Sequence, residues 1–264
     1  MKKYFVIGNP IDHSLSPELH NYWLKKNNIN AVYDRKKINE KDLKSIISEV
    51  EEKKINGINV TVPFKKAVIP HLDKLSLEAK QTQSVNTIIL SNDNTVGHNT
   101  DIAGFTKAIK NLNFNIVGKR VFILGAGGVV PSIIYALKKM NASQIIVSNR
   151  TKKKAEDLKS QFHNLEVLDW GDIIDFDVII NATSLGLNKE TINLDFSKIG
   201  KNKLFYDVIY NPIETNFLKE AKKLGNKTEN GKLMFIYQAF EAFKLWHGIE
   251  PQINHETLKI LNND

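Results

Sequence analysis

Strand-like and helix-like segments alternate along nearly all of this 264-residue chain, and that alternation restricts it to α/β architecture. Tyr4–Ile7, Ala31–Lys36, Gly57–Val62 and Val85–Leu90 read as strands, with helical patterns over Pro17–Asn27 and Lys41–Glu51 between them. Ser16 is placed to cap the first helix, and Pro17 suits its first helical position. A helical stretch over Asp101–Lys110 leads into a second run of strands at Arg120–Leu124, Gln144–Ser148, Asp177–Asn181 and Leu204–Val208. The chain closes on helical patterns over Lys232–His247 and His255–Leu261, with apolar residues at helical spacing. These patterns predict two α/β domains. One comprises residues 1–103, completed by C-terminal helices within 236–264 that pack back on it; the other comprises residues 104–235.

The second domain opens on an apolar strand followed by Gly125-Ala126-Gly127-Gly128 and a helical pattern. That is the context a Rossmann-type dinucleotide-binding turn requires. Gly125 suits the tight turn, and Gly127 lets the backbone approach a pyrophosphate at the helix N-terminus. Val130 stands where the fingerprint has its third small residue, and Pro131 is tolerated in the first helical turn. The next strand ends in Asn149-Arg150-Thr151, followed by Lys152-Lys153-Lys154. No carboxylate stands there to hold ribose hydroxyls or repel a phosphate, and a guanidinium pairs with phosphate in a fork. NADP rather than NAD is the expected cofactor, with Asn149, Arg150, Thr151 and Lys154 around its phosphate.

A different chemistry gathers upstream, in Asn59-Val60-Thr61-Val62-Pro63-Phe64-Lys65. Alternating polar and apolar residues predict a half-buried strand that stops at Pro63. Lys65 follows at the carboxyl end, where open α/β sheets place their ligands. Taken alone it reads as a solvated lysine. Together with the amide and hydroxyl of Asn59 and Thr61, it suits a hydroxylated or carboxylated small molecule.

Ser14-Leu15-Ser16-Pro17, the Asn59–Lys65 stretch, Ser84-Val85-Asn86-Thr87 and Asn99-Thr100-Asp101, in that order, resemble the shikimate dehydrogenase family, nearly end to end. The resemblance implies an N-terminal substrate domain and a Rossmann-type NADP domain. Its implied activity is reversible NADPH-dependent reduction of 3-dehydroshikimate to shikimate, in aromatic amino-acid (chorismate) biosynthesis. By the same resemblance Lys65 and Asp101 are catalytic, with Lys65 a proton donor, an electrostatic anchor, or both. Ser14 and Ser16 would hold the substrate carboxylate, and Thr61, Asn86 and Asp101 its ring hydroxyls. Gln238 and Tyr210 would add further substrate contacts. Asn181–Leu187, including Thr183, would border the cofactor near its nicotinamide half, with Val208 and Gly231 beside it. Leu187 stands where many relatives carry methionine. Two alternatives stay open: a quinate/shikimate dehydrogenase of relaxed specificity, and a non-catalytic nucleotide-binding paralogue.

The remaining features narrow the partners. A formal charge of +8 is spread through many helices without a basic stripe, which suits an anionic small molecule better than nucleic acid. There is no cysteine, and the histidines, including His13, His20 and His98, show neither metal-ligand spacing nor a His–Asp pairing. Met1–Gly8 is too short an apolar run for a signal peptide, so the expected location is cytoplasmic, with no membrane partner. Monomer and homodimer both stay open.

Overall fold

The computed structural model describes residues 1–188, 190–196 and 199–261, so the last three residues of the expected C-terminal segment lie outside it. The chain forms two compact units, Met1–Gly104 with Ile236–Asp264, and Phe105–Phe235.

The first unit is built on strands β1 (Lys2–Gly8), β2 (Ala31–Lys37), β3 (Gly57–Val60), β4 (Lys74–Leu75), β5 (Thr87–Ser91) and β6 (Asn94–His98). They lie in the order β2-β1-β3-β5-β6-β4. β1 runs parallel to β2 and β3, and the β3–β5 and β5–β6 pairs are antiparallel. Helices α1 (Ser16–Lys26), α2 (Leu43–Glu51) and α3 (Leu77–Thr82) connect them, and α4 (Asp101–Asn111) follows. Ile46, Val50, Ile58, Val60, Phe64, Val68 and Ile88 form one dry cluster between sheet and helices. Each such buried side chain contributes about 1.5–3 kcal/mol by leaving water.

Several sequence expectations shift here. β3 is not half-buried: all four of its residues are buried, because it runs between β1 and β5. Asn59 is tolerated there because its amide is fully bonded, to groups on β2 and around β5. Ser16 is the first residue of α1 rather than its cap. Leu15 holds the cap position, and the Ser16 N–H is taken instead by the Ser14 hydroxyl at 3.3 Å. The fifth strand starts at Thr87 and not Val85, since Val85 N–H is drawn to the Lys65 carbonyl at 2.8 Å. The helix expected from Lys41 begins as a 3₁₀ turn over Glu40–Asp42 before α2.

The second unit holds β7 (Arg120–Leu124), β8 (Gln144–Ser148), β9 (Leu165–Leu168), β10 (Val178–Asn181), β11 (Leu204–Asp207) and β12 (Lys227–Glu229), all parallel. Helices α5 (Val130–Lys139), α6 (Lys152–Gln161) and α7 (Asn216–Lys223) alternate with them. Their order, β12-β11-β10-β7-β8-β9, is the doubly wound Rossmann arrangement. It reverses direction between β7 and β10, and ligands of such sheets bind beyond the carboxyl ends of the strands at that point. Two last helices follow, α8 (Lys232–His247) and α9 (His255–Ile260). Among the described residues no helix is long and apolar enough to cross a membrane.

Candidate active site

In the first unit Thr61 prolongs the strand pairing by one bond, its N–H donating to the Ile7 carbonyl at 2.9 Å. The chain then turns tightly, with Phe64 N–H bonded to the Thr61 carbonyl at 2.9 Å and the Phe64 ring buried as an anchor. That anchor carries Lys65 inward. Its Nζ donates to Asp101 Oδ2 at 2.5 Å, and the two side chains are only 11% and 7% exposed. Asp101 is the first residue of α4, where the helix dipole favours a carboxylate. Its other oxygen, Oδ1, accepts from Asn86 Nδ2 at 2.9 Å. Both carboxylate oxygens are therefore held, each by a different donor, and the ammonium is presented on a fixed base.

Asn86 is itself held on every side. Its Oδ1 accepts from Thr100 N–H at 2.7 Å and its Nδ2 donates to the Thr100 hydroxyl at 2.9 Å. Ser14 and Ser16 lie together, with the Ser14 hydroxyl donating to Ser16 Oγ at 3.2 Å. The Ser14 carbonyl accepts from Arg35 Nε at 2.8 Å, and the same guanidinium pairs with Glu18, which steadies the loop. Ser16 also bonds the Tyr33 hydroxyl, whose own pKa burial pushes well above the ordinary tyrosine range. Thr61 is half-buried, its methyl lying against Gly8, where a side chain would meet it at 2.6 Å. Gln238 is half-buried on α8. That helix is fastened by Trp246, whose Nε1 donates to the Ile88 carbonyl at 3.0 Å and whose indole fills the space a side chain at Gly57 would take.

His20 offers no rival to Lys65. His20 is stacked on Tyr33 at 4.3 Å between centroids. Burial, with the nearby His247, lowers its pKa to about 3, so it stays neutral. Two polar residues to which the sequence gave no role, Tyr33 and Thr87, also belong to this cluster and are buried, as is Asn59, which the sequence grouped with Thr61 and Lys65. Alternation placed Asn59 on an exposed face, and only its position inside the sheet reverses that. A signal for Thr87 stood in the sequence, as the hydroxyl directly after Asn86.

In the second unit the turn after β7 is shaped by Gly125, whose φ of +113° suits glycine. A side chain there would meet the Ala182 carbonyl at 2.7 Å, so the turns after β7 and β10 are in close contact. Gly127 differs: a side chain there would meet nothing within 4 Å, leaving open space beside the start of α5. No side chain caps that helix; Val130 N–H turns back to the Gly127 carbonyl at 3.0 Å and Pro131 has no N–H, so the backbone left open there is that of the exposed Gly127. Ala126 N–H donates to Asn149 Oδ1 at 3.1 Å, and Asn149 Nδ2 to the Thr151 carbonyl at 2.8 Å. Asn149 thus couples the glycine turn, completed by Gly128, to the loop after β8. Arg150, Thr151 and Lys154 are exposed around it. This combination of open glycine, uncapped helix and cationic rim fits a phosphorylated dinucleotide.

Beyond β10, the Thr183 hydroxyl donates to Asn181 Oδ1 at 2.7 Å. Val208 and Gly231 touch through backbone: a side chain on Gly231 would lie 1.9 Å from the Val208 carbonyl oxygen. Tyr210 stacks near Phe235, with centroids 4.4 Å apart. Asp207 fastens this region, accepting from the Thr215 hydroxyl at 2.6 Å, Asn181 Nδ2 at 3.0 Å and Ile209 N–H at 3.0 Å. Burial lifts its pKa to about 6 in spite of those donors. Its role is structural, since Thr215 caps α7.

Comparison with known proteins bears on the whole chain. The model of the shikimate dehydrogenase substrate binding domain matches residues 6–88, and that of shikimate/quinate 5-dehydrogenase matches 106–208. The shikimate 5′-dehydrogenase C-terminal domain matches 233–254. A shikimate dehydrogenase (NADP(+)) of Pelagibacter ubique is 54% identical over 264 residues, 99% of this chain and 100% of that protein. One from Aquifex aeolicus is 41% identical over 249 residues, 94% of this chain and 91% of that protein. Among solved structures, the Aquifex aeolicus shikimate dehydrogenase superposes with a TM-score of 0.89 at 38% identity, covering 100% of this chain and 98% of that one. The Thermus thermophilus shikimate 5-dehydrogenase, in complex with NADP(H) and shikimate, gives 0.90 at 30% identity, covering 99% of each chain.

Proposed function

Because this chain belongs to the shikimate dehydrogenase family, we propose that it interconverts 3-dehydroshikimate and shikimate with NADP, a step of aromatic amino-acid biosynthesis. The observation that carries this reading is the buried Lys65–Asp101 pair, with Asn86 on the second carboxylate oxygen. Reducing a ketone to an alcohol requires a hydride on carbon and a proton on oxygen. NADPH, when bound, supplies the hydride. Lys65 holds a proton at Nζ for the substrate oxygen, and Asp101 keeps that ammonium in place and compensates its charge. Ser14 and Ser16 meet the substrate carboxylate with hydroxyl donors. Thr61, Asn86 and Asp101 take the ring hydroxyls, and Gln238 and Tyr210 complete the contacts. A site of bonded polar groups rejects analogues that lack a matching hydroxyl, since a partner would be left unpaired.

On the cofactor side, Gly125, Ala126, Gly127 and Gly128 present backbone to the pyrophosphate. Asn149, Arg150, Thr151 and Lys154 surround the ribose phosphate, and Thr183, Val208 and Gly231 border the nicotinamide. Residues 1–103 with 236–264 serve as substrate domain and 104–235 as cofactor domain. The enzyme works in the cytoplasm as a monomer or homodimer, without nucleic acid.

Nicotinamide absorbance with purified protein tests the reading. NADP reduction by shikimate, with quinate and NAD far slower, supports it. Equal rates with quinate would make it a relaxed quinate/shikimate dehydrogenase. Silence with every pair, with NADPH binding retained, would make it a non-catalytic relative.

A further inference from the structure

The amides behind the Lys65–Asp101 pair are fixed in orientation by partners that can bond in only one sense. Asn59, 6% exposed, donates through Nδ2 to the Asn86 backbone carbonyl and to Thr87 Oγ1, both at 3.0 Å. A carbonyl can only accept, so the orientation of the Asn59 amide is determined. Its Oδ1 therefore faces Tyr33, whose hydroxyl donates to it at 2.7 Å. Thr87, fully buried, receives the Asn59 N–H and must send its own proton elsewhere. The two acceptors in reach are Asn86 Oδ1 at 3.2 Å and the Thr100 hydroxyl at 3.3 Å. The Thr100 hydroxyl already receives Asn86 Nδ2, so both routes end on the same amide. Thr100 N–H can only donate and Asp101 Oδ1 can only accept, so Asn86 turns its oxygen to the first and its nitrogen to the second, and a hydroxyl proton from Thr87 or Thr100 reaches the same oxygen.

We propose that Tyr33, Asn59 and Thr87 are positioning residues: they hold the Asn86 amide with its nitrogen on Asp101, and through it keep the Lys65–Asp101 pair in working orientation. None of the three needs to touch substrate. The inference rests on the dehydrogenase reading above and deepens it, because it makes turnover depend on a hydroxyl at Thr87 that lies two bonded steps behind the reacting lysine's carboxylate partner.

Steady-state kinetics with shikimate and NADP test it. Thr87→Val keeps the shape and removes the hydroxyl; it is expected to lower kcat/KM for shikimate about tenfold while leaving KM for NADP unchanged. Thr87→Ser, which keeps the hydroxyl, is expected within about twofold of the natural protein. In an Asn86→Ala background Thr87→Val should cost nothing further, because the residue it acts through is gone. Natural kinetics in Thr87→Val would overturn the proposal. So would a Thr87→Ser variant as impaired as Thr87→Val, or losses that multiply in the Asn86→Ala background, since each points to packing alone. If Thr87→Val does not fold, Tyr33→Phe serves instead: it keeps the ring on His20 and should lower the same parameter about threefold, and no change would overturn the relay. No shikimate turnover in the natural protein would remove the dehydrogenase reading itself, a result distinct from an active enzyme with indifferent variants.

Discussion

Neutralising Asp101 while leaving Lys65 in place should destabilise the first unit severely. Asp101→Asn preserves the shape of the side chain and its capacity to meet Asn86, but strips the counter-charge from an ammonium only 11% exposed. An ammonium with that little solvent cannot recover its hydration without local opening. Breaking a buried pair from one side costs about 3–5 kcal/mol, a large share of the 5–15 kcal/mol typical of a folded domain. Removing both charges behaves differently. The Lys65→Met, Asp101→Asn double variant leaves no uncompensated ion, and its stability should return to within about 1 kcal/mol of the natural protein. Urea unfolding at neutral pH measures this, and two of the three tryptophans, Trp23 and Trp246, report on the first unit. Slopes against denaturant should match across the set, so that midpoints compare directly. A single variant within about 0.5 kcal/mol of the natural protein, or a double variant no better than the single, would refute the picture of a desolvated pair. The double variant should also lose about 10²–10⁴ in turnover, separating stability from chemistry.

Three further outcomes follow from geometry elsewhere. Arg150→Ala should weaken NADP by about 1.5–3 kcal/mol, the worth of a charged hydrogen bond, and leave NAD nearly unchanged; fluorescence titration with both cofactors checks it, and equal losses would remove the phosphate role. His20 has its pKa lowered by burial from 6.5 to about 3, so the unfolded chain takes up a proton that the folded one refuses. Stability should therefore be full above pH 6.5 and fall as pH drops toward 3, by about 2 kcal/mol at pH 5, and His20→Phe should flatten that slope in urea midpoints measured across the range. Gly231→Ala would drive a methyl against the Val208 carbonyl and should cost at least about 1–3 kcal/mol; a thermal midpoint equal to the natural protein's would show that the contact yields freely.

How much of this was legible beforehand depended on where the information resides. Arg120–Leu124 and Gln144–Ser148 were readable to the residue, because short apolar runs there end abruptly at Gly125 and Asn149. Lys227–Glu229 could not be read: Lys-Thr-Glu has no apolar pattern, and only pairing beside β11 makes it a strand. The β5–β6 hairpin did leave a trace, since Asn92 and Asp93 both take positive φ and belong to the small group of residues that tolerate it. At the site, the neighbourhood of Lys65 and Asp101 was suggested by motifs carried on separate segments. The residues supporting them were hidden, because a buried asparagine in a central strand is indistinguishable from an exposed one until its neighbours are known. Tyr33 lies on another strand altogether, and its hydroxyl reaches Asn59 across β1.

The seat of Trp246 against Gly57 and Ile88 has a consequence for how the chain is made. Its indole N–H is bonded to a carbonyl 158 residues earlier, so that bond cannot form until nearly the whole polypeptide has been synthesised. The second unit is contiguous, Phe105–Phe235, and every residue it needs has emerged before the first unit can be finished. Translation order and folding order are thus inverted: the segment made first is closed last, and until then the face awaiting the indole stays open to water. A chain halted at Phe235, one turn into α8, would carry one completed unit and one lacking its last helices, the kind of species that chaperones hold and proteases clear.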